Sequence, residues 1–308
     1  MVTKQSIFQS ILTVLTAIIV VSCGSDPEQQ TEQPETESTM QGAADRVATI
    51  EEGLAGPEAI RYDAGQDVYF ISNFNGQSSA ADSNGYIARA QPDGTIDSLK
   101  FMTSTEEGPL HAPRGMYITG DTLYVADLKG VHAFNTQTGS HINFFDFTSF
   151  EPGFLNDIAV GPNGKIYVTD TGQSRVYEID GSEISIAIDS LESPPNGITW
   201  DEQKGKFLIA PWNSGEKFQA FMPDSIYAQD FITTSSGGNF DGIEPFDGAY
   251  LVSSQNDSSL YLIRDSQDHK AVIKTAPEPA DIALDTKRSR VAVPYINLNR
   301  VDIWQLNE

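Results

Sequence analysis

From about residue 46 onward, apolar and polar positions change places in short runs with the period of strands rather than helices. Asp67-Val68-Tyr69-Phe70-Ile71-Ser72-Asn73, Thr122-Leu123-Tyr124-Val125-Ala126-Asp127 and Lys165-Ile166-Tyr167-Val168-Thr169-Asp170 are β-branched and aromatic runs. Turn signals punctuate them, among them Pro92-Asp93-Gly94 and Pro162-Asn163-Gly164. No stretch of about a dozen residues carries the apolar stripe of an amphipathic helix.

The pattern repeats. A polar residue opens a short strand, a turn follows, and a Tyr/Val/Ile-rich strand comes next. The openings are Glu58-Ala59-Ile60, Arg114-Gly115-Met116, Asn156-Asp157-Ile158, Asn196-Gly197-Ile198, Asp241-Gly242-Ile243 and Asp281-Ile282-Ala283. They recur roughly every 40 to 45 residues after a longer first interval of about 56, which is the spacing of propeller blades. The long interval holds a Ser/Ala/Gly/Asn-rich insertion at 76–84. Each unit offers four strands except the last, where the chain stops after the runs at 281–284, 290–293 and 300–304. The run Arg46-Val47-Ala48-Thr49-Ile50 can supply the missing outer strand and remove the free edge. The expectation is an all-β, six-bladed β-propeller over residues 46–308, its last blade closed by an N-terminal strand.

Ahead of it, Lys4 and the apolar run at 7–21 end in Val20-Val21-Ser22-Cys23-Gly24, which resembles a bacterial lipobox. Residues 1–22 read as a lipoprotein signal peptide, and 23–45 as a lipidated Cys23 with a Gln/Glu/Thr/Pro/Ser tether too polar to fold. That places the protein at the bacterial cell envelope, lipid-anchored to a membrane, with no spanning helix. The single cysteine excludes an internal disulfide framework. A net charge of −24 repels phosphate backbones, so nucleic acid is excluded as a partner; a monomer acting on a small molecule is expected.

In a propeller the residues opening the innermost strands converge at one end of the central channel. Here they are Glu58, Arg114, Asn156, Asn196, Asp241 and Asp281. Carboxylates crowded there repel unless something positive joins them. Oxygen donors without His or Cys point to Ca2+ first, with Mg2+, Mn2+ or Zn2+ as alternatives. His111, His132, His141 and His269 have no close ligand spacing. His111, three residues before Arg114, and Trp212 are candidates for facing a pocket.

The segments Gly56-Pro57-Glu58-Ala59, Asn156-Asp157-Ile158-Ala159-Val160, Pro195-Asn196-Gly197-Ile198 and Asp241-Gly242-Ile243 resemble the metal-site motifs of the SMP-30/gluconolactonase/LRE-like family of six-bladed lactonases and phosphotriesterases. The resemblance spans the folded part and implies Glu58, Asn156, Asn196 and Asp241 as ligands of one divalent ion. It further implies a metal-dependent hydrolase of a lactone or related ester, with the ion polarising the substrate and Asp241 as base or nucleophile. Arg114 would then be catalytic or substrate-binding, and Asp281, His111 and Trp212 substrate-binding. Where sugar-lactonases usually carry Arg and Gly around the first Asn, this chain has Phe154 and Ile158, which argues against a sugar-acid lactone. The alternative is a non-catalytic, metal-stabilised propeller lipoprotein that binds a protein or ligand.

Overall fold

The computed structural model describes residues 44–106, 108–213 and 216–307. The expected signal peptide, Cys23 and nearly all of the tether lie outside them. Every strand belongs to one of six four-stranded antiparallel sheets, because the short β-branched runs are separated by turns that only permit up-and-down pairing. Blade 1 comprises Pro57–Asp63, Val68–Asn73, Tyr86–Ala90 and Ile96–Thr103 from channel to rim. The inner strands of blades 2 to 5 are Met116–Thr119, Leu155–Val160, Pro195–Asp201 and Phe240–Phe246.

Blade 6 takes three strands from the C-terminal end, Ala283–Asp285, Arg290–Tyr295 and Arg300–Leu306. Its fourth is Ala44–Ile50, antiparallel to the last of these with Ile50 opposite Val301. Thr49 Oγ1 donates to Asp302 Oδ1 at 2.9 Å across that seam. The closing strand opens at Ala44, slightly ahead of the expected start at 46. The insertion at 76–84 lies between the second and third strands of blade 1, as expected.

Apolar side chains gather in six clusters, one between each pair of adjacent blades. Between blades 1 and 6, for example, Ile60, Tyr69 and Ile71 pack on Ala292, Val301 and Ile303. The core is therefore a ring, and the axis is left for polar groups.

Candidate active site

The inner strands of blades 1, 3, 4 and 5 share one irregularity. Pro57 pairs with Asn73 and Ile60 with Ile71, so the inner strand spends three steps against its partner's two. The same offset separates Leu155 from Ile158, Pro195 from Ile198 and Phe240 from Ile243. Each is a β-bulge, which bends the strand and re-aims the side chains within it. The first residue inside the bulge is Glu58, Asn156, Asn196 or Asp241. All four are buried, at 3–5% exposure, and all four line one cavity of about 430 Å³ at the channel mouth.

Bulges free backbone N–H groups, and hydroxyls on the second strands receive three of them. Ala59, Asp157 and Gly242 donate to Ser72, Thr169 and Ser253 at 2.9 Å. Thr169 and Ser253 pass the bond on to the next blade, donating to the carbonyls of Asn196 at 2.7 Å and Ala280 at 2.8 Å. Packing at this level leaves no room for side chains in the following position of blades 4 and 5. A Cβ on Gly197 would collide with the Asp241 carbonyl, and one on Gly242 with the Ile282 amide.

Two of the four cavity-floor residues are held by neighbours that sequence reading missed. Gln255 donates to Asp241 Oδ2 at 2.8 Å, and Asn156 donates to Thr171 Oγ1 at 3.0 Å. Gln255 and Thr171 also line the cavity. Glu58 Oε2 and Asn196 Oδ1 are buried acceptors without a hydrogen-bond partner. Burial, then Asp241 and Asp281, push the Glu58 carboxyl well above the usual carboxylate range, with Arg114 opposing. Burial and Asp281 raise Asp241 too, while the Gln255 and Asn196 amides pull it back.

Among the described residues no three His, Cys, Asp or Glu side chains come together as a metal cluster. The candidate set is instead two carboxylates and two carboxamides. Crowded acids that resist ionisation and unpartnered acceptors both fit a hard cation that takes oxygen ligands. These residues could hold such an ion.

Trp212 lines the cavity, as do Phe74, Phe154 and Ile296. The other three expected substrate contacts lie behind its wall. Arg114 is fully buried: its Nη2 donates to the Ser78 carbonyl and its guanidinium lies 3.8 Å over the Phe154 ring. Burial pulls it down to about 10, against Glu58 and Asp127. Arg114 thus buttresses the aromatic wall from behind, its charge reaching Glu58 although the side chain does not line the cavity. The His111 ring accepts from the Ser83 amide at 3.1 Å and its own amide is held by Asp127 at 2.9 Å, so it anchors the insertion.

Asp281 is paired, but not with Arg114. Its partner is Arg61, 2.8 Å away, which also reaches Asp157 at 3.2 Å and the carbonyls of Ile60 at 2.8 Å and Ile282 at 3.0 Å. Burial alone would lower the Arg61 guanidinium's proton affinity; Asp281 and Asp157 outweigh it and drive it upward. This side chain plugs the channel beneath the cavity floor. Beyond it a smaller cavity of about 140 Å³ opens at the opposite mouth, lined by Arg61, Tyr117, Thr199 and Glu244. Each of these stands three residues after its blade's opener, a spacing that the bulge in blades 1, 4 and 5 makes compatible with a shared channel-facing side.

No family model and no curated protein matches the chain. Its fold has solved counterparts. One is a gluconolactonase from Xanthomonas campestris, 14% identical, with a TM-score of 0.65 over 85% of this chain and 91% of that one. A putative gluconolactonase is also 14% identical, with a TM-score of 0.62 over 87% and 93%. A catalytically inactive virginiamycin B lyase from Staphylococcus aureus, solved with quinupristin, is 12% identical, with a TM-score of 0.59 over 86% and 99%. At these identities the likeness is one of fold: the chain is a six-bladed β-propeller of the shape that these gluconolactonases and the virginiamycin B lyase share.

Proposed function

We propose that this protein is a divalent-metal-dependent hydrolase of a lactone or related ester, with Ca2+ the best-fitting ion. The observation that carries the reading is the convergence of Glu58, Asn156, Asn196 and Asp241 from four blades onto one cavity floor, with two buried acceptor atoms unpartnered. That gluconolactonases and a virginiamycin B lyase have this fold supports an enzyme over a passive scaffold.

A bound divalent cation would supply Lewis acidity toward the substrate carbonyl and lower the pKa of a water beside it. The chain's own residues do the rest. Glu58 and Asp241 supply the negative charge that such an ion needs, and the two asparagines supply neutral oxygens without adding repulsion. Gln255 fixes the Asp241 carboxylate in one orientation through its Oδ2. Held so, Asp241 is placed to take the proton of an attacking water and return it to the leaving oxygen. Phe74, Phe154, Trp212 and Ile296 wall the substrate off from bulk water.

Ester and lactone turnover by residues 44–308 should require the ion and disappear with chelator. Asp241→Asn should lower kcat/KM by at least about 10²-fold with the melting temperature nearly unchanged in metal-free buffer. Reaction in isotopically labelled water should place one labelled oxygen in the acid product, whereas a lyase would add none. Turnover that survives chelation and the Asp241 change would overturn the assignment. Separately, the lipobox-like run ending at Cys23 supports a lipid-anchored protein at the cell envelope; Cys23→Ser should abolish incorporation of a labelled fatty acid.

A further inference from the structure

We infer that the ligand of the channel-mouth cavity is a cationic amphiphile, an ester or lactone with an ammonium group and an apolar body. This rests on the hydrolase reading for the reaction, though not for the charge preference.

The cavity is asymmetric. Its floor is polar and buried, whereas Phe74, Phe154, Trp212 and Ile296 make its sides apolar. Such walls bury the hydrocarbon or ring portion of a ligand and offer few partners to a polyol. Charge is equally one-sided: among the described residues the lining contains Glu58, Asp241 and Glu278 and no Lys, Arg or His. A divalent ion on the floor would answer Glu58 and Asp241. Glu278 would remain.

Glu278 stands apart from the other two. It sits nearer solvent, on the loop entering blade 6, and among the described residues no cation pairs with it. Asn297, from the short turn Ile296–Leu298 that also lines the cavity, donates to its Oε2. The carboxylate is therefore held at the rim by a neutral donor that leaves its charge uncompensated. Its backbone has φ +58°, where the other left-handed non-glycine residues described are Asp, Asn, Ser and a single further Glu.

An anionic ligand would meet this charge and a field of net charge −24 on approach. A ligand carrying an ammonium group gains a charge-assisted hydrogen bond at the rim while its apolar body lies on the aromatic wall. The ester carbonyl then points to the floor.

The test uses three unreactive probes of one shape, 4-phenylbutylamine, 4-phenylbutanol and 4-phenylbutanoate, titrated calorimetrically into the Ca2+-loaded protein at low salt. The amine should bind about tenfold more tightly than the alcohol, and the carboxylate most weakly. The amine's advantage should shrink as salt rises. In Glu278→Gln, amine and alcohol should bind alike, with the melting temperature kept. Equal binding of the three, no binding of any, or an amine preference that survives Glu278→Gln would each overturn the inference. Turnover of neutral esters without amine preference would leave the hydrolase standing and remove this ligand class. Amine-selective binding without turnover of any ester would do the reverse.

Discussion

Five carboxylates, Glu58, Asp157, Asp241, Glu244 and Asp281, converge on the channel, and Arg61 answers two of them directly. Removing one partner of a buried ion pair strands the other, which costs about 3–5 kcal/mol. Arg61→Met should therefore lower stability by about that much in denaturant titration, more than loss of a surface ion pair such as Arg264 with Asp268. Glu244 faces the opposite mouth, and burial raises it to about 7 against the pull of Arg61. Its folded-state pKa lies above the unfolded value, so the folded state holds the extra proton. Stability from this group is then full below the unfolded pKa of about 4.3 and lost as pH rises through about 7. Glu244→Gln should flatten that part of the stability profile; an unchanged slope between about pH 4.5 and 7 would count against the shift. Arg61 escaped the sequence reading because period-two alternation puts residues 58 and 61 on opposite faces, and the bulge overrides it.

At the scale of the strand, the bulge does the positioning. It turns Glu58, Asn156, Asn196 and Asp241 toward the axis, and in blades 4 and 5 it goes with close backbone approach at the next position. Gly197→Ala should cost about 1–3 kcal/mol by overpacking against the Asp241 carbonyl. Because that strain falls on a floor residue, ion affinity measured by calorimetry should drop along with the melting temperature. The group it would strike, the Asp241 carbonyl on the next blade, has no local signal in the sequence. The hydroxyl bonds from Thr169 and Ser253 into the neighbouring blades were equally hidden, since they join residues 27 positions apart in sequence.

For the molecule as a whole, closure of the ring is the decisive contact. Ala44–Ile50 is joined to the C-terminal strand across the greatest sequence separation in the fold, as in the Thr49 to Asp302 bond. Removing it exposes the edge of Arg300–Leu306 and uncovers blade 6. A chain starting at residue 51 should melt earlier than one starting at 44 and should form larger species in size-exclusion chromatography. Equal melting and a monomeric profile would mean that the seam contributes little.

The blade count, the strand nature of the chain, the closing strand and the convergence of six openers on the channel were legible in the sequence, and the family resemblance singled out the four that meet on the cavity floor. These follow from local pattern and from a repeat whose equivalent positions symmetry brings together. Which neighbours complete the site depends on contacts between distant parts of the chain. Arg114 was in register with the ligand set, yet its long side chain runs behind Phe154 to Ser78. Asp281 was in register too, yet Arg61 holds it beneath the floor. Glu278, Asn297 and Gln255 reach the cavity from loops and turns with no repeat to announce them. A repeat fixes where each strand begins; the direction of a long side chain and the fold of a rim loop depend on contacts between distant blades, which no local pattern encodes.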